Sequence, residues 1–448
     1  MLLKKSLWLA LLGGVCITAG SALAQDSGPL IDLLVKKGIV NDQEAEDLRV
    51  ALVKDFAANT SAGKLNLSSP LVEFKLSGDL RMRYEYNAQV PELTTGAAPV
   101  VNETSRQRFR FRFNGDVILQ KGWTAGFALE TGQASDSANQ TFTGAADDYG
   151  VFLARAYVGW QPNENWAFII GKQKNPFYTT EMRWDADISP QGVTELYKYF
   201  VGSKDTFEVR AMQHAMQDNN EQIPGPLGRD TWLFEQQAVY THWFGKEALN
   251  NLLVAVGYSA YNQSNIPSSA SVTPTNSPSN SAAFVGSVRA QNYGTFAGET
   301  NWMNINGAGT AFKVYWDSSY NFLGATRAYK VYGLNPASFS KGAAAWLAGV
   351  GYSYGTGKVQ GDYSAKLDYR EVGVTAVDPN TNDSDWGFSK TNQKGFKLAL
   401  TYNVTDFVNF NVTYFDTKIM QAKMVTPTFT LGNLDRSHEL LVDLVVKF

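Results

Sequence analysis

The chain has one cysteine and three histidines in 448 residues. Beyond its first two dozen positions, no run approaches the roughly 20 apolar residues of a membrane helix. Charge is scarce too, at 18% Asp, Glu, Lys and Arg, against roughly 25% in an average soluble domain. Each shortage excludes something. Cys16 lies within Met1–Ala24, which reads as a secretory leader: Lys4 and Lys5, an apolar stretch from Leu7 to Ala19, then the small-residue site Ala22-Leu23-Ala24. Val15 is a poor fit for a lipoprotein signal at that cysteine. Cleavage after Ala24 leaves no disulfide, no thiolate metal site and no Cys nucleophile. With 42 acidic against 39 basic residues, the chain has no footing for nucleic acid. His214, His242 and His438 fall in three separate segments with no serine motif beside them, so a Ser–His lipid hydrolase has no constellation to work with.

What is present resolves an apparent conflict. The chain is 44% hydrophobic and 13% aromatic, yet its mean hydropathy is −0.23. A closed β-barrel is the one membrane architecture that hides its apolar surface in alternate residues. Residues 25–60 differ from the rest. Leu30, Leu33, Leu34 and Val35 are helically spaced, and Gly38 ends that turn. Asn41 with Glu44 starts a second helix carrying Ala45, Leu48, Leu52 and Phe56 on one stripe. This predicts a short periplasmic helical segment that packs against a copy of itself or the barrel rim, or else frays as a surface segment.

From Leu71 the period changes from 3.6 to 2. Leu76, Gly78, Leu80, Met82, Tyr84 and Tyr86 alternate with Ser77, Asp79, Arg81, Arg83 and Glu85. Phe109, Phe111, Phe113 and Val117 alternate with Arg108, Arg110, Arg112, Asn114 and Asp116. Arginines on every second position between phenylalanines cannot face an apolar core; they need a wet interior while the rings need lipid. Runs of this kind predict a transmembrane antiparallel β-barrel of about 16 strands over 71–448, with strands at 251–261, 310–321 and 326–333 and a long loop at 262–309. Connections alternate short and long, as periplasmic turns and external loops do. The last run, His438, Leu440, Val442, Leu444, Val446 and Phe448, is an apolar face ending in an aromatic residue. It has the form of the signal read by the outer-membrane insertion machinery.

With both ends read, the whole chain resembles the Putative porin family of Gram-negative outer membranes. The residues that carry the likeness are Leu33-Leu34-Val35-Lys36-Lys37-Gly38-Ile39-Val40 with Glu44-Ala45-Glu46-Asp47-Leu48, the arginine-bearing first strands, Gly171-Lys172-Gln173 with Asn175-Pro176-Phe177, Ser189-Pro190-Gln191-Gly192, and Phe448. The resemblance implies a passive diffusion channel without catalytic residues or cofactor, working as a homotrimer in outer-membrane lipid. Its solutes would be small and hydrophilic.

Selectivity in a polar lumen follows the charges at its constriction. One candidate wall is the ladder Arg81, Arg83, Arg106, Arg108, Arg110 and Arg112, with Arg155 and Arg210 joining if register permits. The candidate opposing element is the third long connection, 172–190, with Glu181, Asp185 and Asp187. An inserted acidic loop facing arginines sets a transverse field that orients dipolar solutes. The bland alternative is pairing of the arginines with Asp79, Glu85 and Asp116 to hold the wall in register. Trp123, Tyr157, Trp160, Trp166, Tyr240, Trp243, Tyr258, Tyr402 and Tyr414 are expected as girdle residues rather than a lumenal row guiding sugars. Asp378–Asp385 has calcium-loop acids without the glycine or the final glutamate, and reads as a surface loop. An adhesin acting through loop 262–309 is a competing function. A plugged transporter is excluded because residues 25–70 are too few for a plug.

Overall fold

The computed structural model describes residues 35–37, 44–46, 70–91, 100–132, 137–217, 230–245, 249–262, 290–305, 309–330, 334–335, 342–421 and 434–448. The leader, most of the helical segment and the Ser/Pro-rich stretch 263–289 lie outside them. The chain divides into two units, 1–69 and 70–448. In the first, the described residues include helical backbone at 35–36 and 44–46, with Ala45 buried.

In the second unit, sixteen long strands among the described residues make one antiparallel sheet: β1 (Leu71–Pro91), β2 (Asn102–Leu119), β3 (Trp123–Thr131), β4 (Val151–Trp160), β5 (Trp166–Lys172), β6 (Gln191–Val201), β7 (Asp205–Gln217), β8 (Thr231–Phe244), β9 (Asn250–Tyr261), β10 (Asn292–Met303), β11 (Thr310–Asn321), β12 (Ala344–Tyr354), β13 (Tyr363–Val372), β14 (Gln393–Asn403), β15 (Val408–Ile419) and β16 (Leu434–Lys447). Each pairs with its neighbour in sequence, and β16 pairs back onto β1, Asp443 opposite Arg83, which closes the barrel. A two-residue strand, Gln140–Thr141, extends the edge of β2 beyond the end of β3. Closure leaves no sheet edge unpaired in lipid, the condition a membrane imposes on β structure.

Alternation does what the pattern requires. On β1, Asp79, Arg81, Arg83 and Glu85 are buried on the inner face, while Met82 and Tyr84 are exposed outside. Outward aromatics gather in two belts. At the short-turn end Trp123, Trp160, Phe168 and Trp166 stack in sequence across three strands. At the far end Phe396 lies against Tyr414, and Tyr414 against His438. Tyr157 is an exception to the expected girdle: it occupies the inner row, and its hydroxyl reaches Asp116 at 3.4 Å. The C-terminal Phe448 is outside; its ring lies against Phe111 and covers Gly78, with which it exchanges backbone hydrogen bonds.

One strand was misplaced in the sequence reading, although the total was right. The strand expected at 326–333 is not there in its described part, 326–330, and 331–333 lie outside the described residues; Gly324–Lys330 is a helical turn (α1), with Arg327 N–H donating to the Leu323 carbonyl at 2.9 Å. Adjacent Arg327 and Ala328 are both fully buried, which a strand's alternation does not allow. The missing strand is β10, inside the segment read as loop 262–309. Its outward positions include Gly294 and Gly298, which carry no apolar signal of their own. Neighbouring rings supply it: a Cβ at Gly298 would stand 2.3 Å from the Trp316 ring, and one at Gly294 2.8 Å from Phe322.

Candidate functional site

The β1–β2 hairpin sets Arg81 opposite Arg110 and Arg83 opposite Arg108, a placement of like charges that costs stability unless acids intervene. Three do, and each serves two arginines. Asp79 accepts from Arg110 Nη2 at 2.8 Å and Arg112 Nε at 2.7 Å. Glu85 accepts from Arg106 Nε at 2.7 Å and Arg108 Nη1 at 3.0 Å. Asp443 on β16 takes a forked pair from Arg83, 2.7 and 2.9 Å, with Arg81 at 3.8 Å. The six predicted arginines are thus together on one wall, sharing three wall carboxylates. Sequence reasoning offered Asp79 and Glu85; Asp443 belongs to the last strand and reaches the ladder only through ring closure. Asp116 reaches Tyr157 instead. Arg155 points inward and donates to Asn114 at 2.7 Å, while Arg210 is held by Glu208 and the Pro176 carbonyl.

The connection 173–190 lies within the barrel, bonded to the inner faces of strands far away in sequence. Tyr178 N–H donates to Gln237 on β8 (2.8 Å), and its hydroxyl to Glu299 on β10 (2.8 Å). Thr180 donates to Asp317 on β11 through both N–H (2.9 Å) and hydroxyl (2.8 Å), and Arg183 Nε donates to the other oxygen at 2.8 Å. Glu181 pairs with Lys397 on β14. Phe177, Met182, Trp184 and Ile188 are buried, which explains why so aromatic a loop does not stay in water.

A second connection, 373–392, is also inside. Asp378–Asp385 is therefore no surface loop: Asn380, Thr381 and Asn382 are buried, and the carboxylates of Asp378 and Asp383 are occupied by protein donors. Asp378 takes Tyr261 and Asn380, and Asp383 takes Arg370 at 2.9 Å. The two loops hold each other, Asp185 N–H donating to Thr381 O at 2.6 Å and Asp383 N–H to Glu181 O at 2.9 Å. Met182, Val377 and Trp386 from the loops form an apolar cluster with Leu347, Val372, Phe415 and Leu441 of the wall. The apolar residues in 373–392 were the available signal that this loop does not face water.

Together the loops present Asp185, Asp187, Asp383 and Asp385. Asp187 stands 3.8 Å from Arg110, and Asp385 3.7 Å from Arg83. Lys397 beside Glu181 holds that carboxyl down at about 2. Burial, then the neighbouring Asp383 and Asp187, push Asp185 up to about 8. Asp385 rises to about 6, mainly through burial, with Arg83 opposing. Of the histidines, His214 faces inward, packed against Phe177 and Trp184; His242 and His438 are outside, bonded to Asp205 and Tyr414.

A closed barrel with charges inside and two aromatic belts outside defines the class: this is a transmembrane β-barrel of the outer membrane. The model of the Putative porin family matches residues 87–293, bearing out the likeness read from the sequence. No curated protein matches significantly. Among solved structures the chain is similar to OprB of Pseudomonas putida at high pH (10% identity, 84% of this chain and 94% of that one, TM-score 0.47). It is also similar to the outer-membrane channel DcaP of Acinetobacter baumannii (11%, 86% and 99%, TM-score 0.42). A third is OmpF of Salmonella typhi in complex with daunomycin (11%, 84% and 100%, TM-score 0.46).

Proposed function

We propose that the barrel is a porin, not an enzyme: a water-filled channel for passive diffusion of small hydrophilic solutes. Its constriction lies where the ladder Arg81, Arg83, Arg106, Arg108, Arg110 and Arg112 faces Asp185 and Asp187 of loop 173–190. Glu181, assigned to that acidic face from sequence, serves instead to anchor the loop through Lys397. The observation that carries the reading is the approach of loop acids to wall arginines, Asp187 to Arg110 and Asp385 to Arg83. Six guanidiniums face four buried wall carboxylates, Asp79, Glu85, Glu439 and Asp443, so the wall keeps a surplus of positive charge. Opposed charge across a narrow, water-filled gap with low-dielectric walls gives a field that admits dipolar and ionic solutes and penalises apolar ones of equal size.

Two domain assignments accompany this reading: a cleaved leader at 1–24 and a periplasmic helical segment at 25–60 ahead of the barrel. Phe448 serves as the insertion signal for the outer-membrane assembly machinery. Homotrimer contact belongs to β3–β5, the lowest part of the wall at 9, 10 and 7 residues. Reconstitution in planar bilayers tests the channel. Discrete ohmic steps support it; a correctly folded barrel without conductance replaces it with a structural barrel or adhesin.

A further inference from the structure

On the side of the barrel formed by β10–β15, a chamber of about 400 Å³ lies between the wall and loop 173–190. Small residues make it. One inner row runs Lys313, Gly351, Lys366, Ala399, Thr413 across β11 to β15, so the wall is hollow on either side of Lys366. Thr180 and Glu181 of the loop line the opposite side.

The charges of this chamber are almost fully matched. Lys313 pairs with Glu299 and Lys397 with Glu181. Arg370 pairs with Asp368 at 3.2 Å and with Asp383 at 2.9 Å. The hydroxyl of Tyr315 is committed to Asp368 at 3.1 Å. Every acid lining the chamber therefore has its own cation. Lys366 is different: it is exposed, and among the described residues it has neither a hydrogen-bond partner nor an ion-pair partner. Its charge reaches Glu181, which Lys397 already pairs, so the chamber lining holds four cations against three carboxylates; an ammonium in excess, in a polar chamber of ligand size, is a place for an anion from outside the protein. Thr413 lies two strands away in the same row. At about 4.8 Å between strands, their backbones are about 10 Å apart, the reach of a six-carbon hydroxy acid.

We propose that this chamber is a binding station for small hydroxylated carboxylates, with Lys366 holding the carboxylate and the row toward Thr413 receiving the hydroxyl-bearing chain. Within the porin reading, such solutes meet it on their way through the lumen; the binding itself does not depend on conductance.

Gluconate is the probe and glucose its uncharged counterpart. Calorimetric titration of the full-length protein in detergent should show saturable gluconate binding, weakened about fivefold in Lys366→Gln, the size of one partly solvated ion pair. Lys366→Arg should restore it, and glucose should bind far less. In bilayers, gluconate should reduce the chloride current of the wild type more than that of Lys366→Gln. Equal gluconate binding by wild type and Lys366→Gln, no saturable binding by the wild type, or equal binding of glucose overturns the station. A protein that conducts chloride but binds no gluconate loses the station and remains a porin; one that binds gluconate without conducting loses only the porin reading.

Discussion

Two regions of the lumen use inward-facing charge in different ways. On β16, β1 and β2, the arginines are bridged by acids of the wall itself, and among the described residues only Arg83 and Arg110 come within 4 Å of a loop acid, at 3.7 and 3.8 Å. From β8 to β14 the charges reach inward to hold the loops: Asp317 takes Thr180 and Arg183, Lys397 takes Glu181, and Arg370 takes Asp383. On the proposed channel reading, the first region sets the field that solutes meet, while the second, its charges paired except at Lys366, holds the loops that narrow the lumen. That reading assigns selectivity and aperture to separate walls, and substitutions can test it.

The largest effect is expected at Asp317, whose side chain is fully buried. Asp317→Ala removes three loop contacts and leaves Arg183 with the Tyr178 carbonyl at 3.3 Å and Glu235 at 4.0 Å, a change that costs about 3 kcal/mol. We expect loop 173–190 to detach, single-channel conductance to rise, and the thermal transition to fall. Unchanged conductance and melting would deny the loop its anchoring role. By contrast, Arg110→Gln leaves Asp79 held by Arg112, so conductance should stay near wild type. The anion-to-cation permeability ratio from reversal potentials should fall by about two- to threefold. A ratio that does not move would reduce the ladder to wall pairing.

A weaker effect is expected from pH. Asp185 has its carboxyl raised to about 8 by burial and by Asp383 and Asp187, so the folded loops bind its proton more tightly than the unfolded chain does. Its contribution to loop docking is therefore fully present below the ordinary carboxylate range and is lost as pH rises toward 8. Between pH 6 and 9 cation preference should increase, and Asp185→Asn should flatten that rise. Glu181, held down at about 2 by Lys397, stays ionised throughout this window and keeps its anchor. A titration that persists in Asp185→Asn would assign it to another group, Asp385 first.

Most of the barrel was legible because alternation is imposed locally by lipid outside and water inside. The arginine ladder was legible for the same reason, since its residues sit on two adjacent strands. What sequence could not supply was contact between distant segments. Asp443 joins Arg83 only through ring closure, 360 positions apart. β10 was hidden because its outward glycines borrow rings from Trp316 and Phe322, and Gly324–Lys330 imitated a strand through Tyr329 and its neighbours. The loop 373–392 was misread because acids and amides dominate its tip, while Val374, Val377 and Trp386, all buried, decide where it goes.

The smallest expected effects also bear on the division between the walls, at two glycines of β12. At Gly349 a Cβ would stand 2.3 Å from the Tyr315 ring, whose hydroxyl is committed to Asp368. Gly349→Ala must displace that ring, at a cost of about 1–3 kcal/mol. At Gly351, two positions along, the nearest atoms are Lys366 Cγ at 3.6 Å and Lys313 Cβ at 3.7 Å, ordinary van der Waals contact. Gly351→Ala should therefore melt within about 0.5 kcal/mol of wild type. The hollow at Gly351 is open space beside Lys366, whereas the one at Gly349 is already filled by Tyr315. If both variants melt alike, the Tyr315 ring is not fixed by Asp368, and this wall is looser than its paired charges imply.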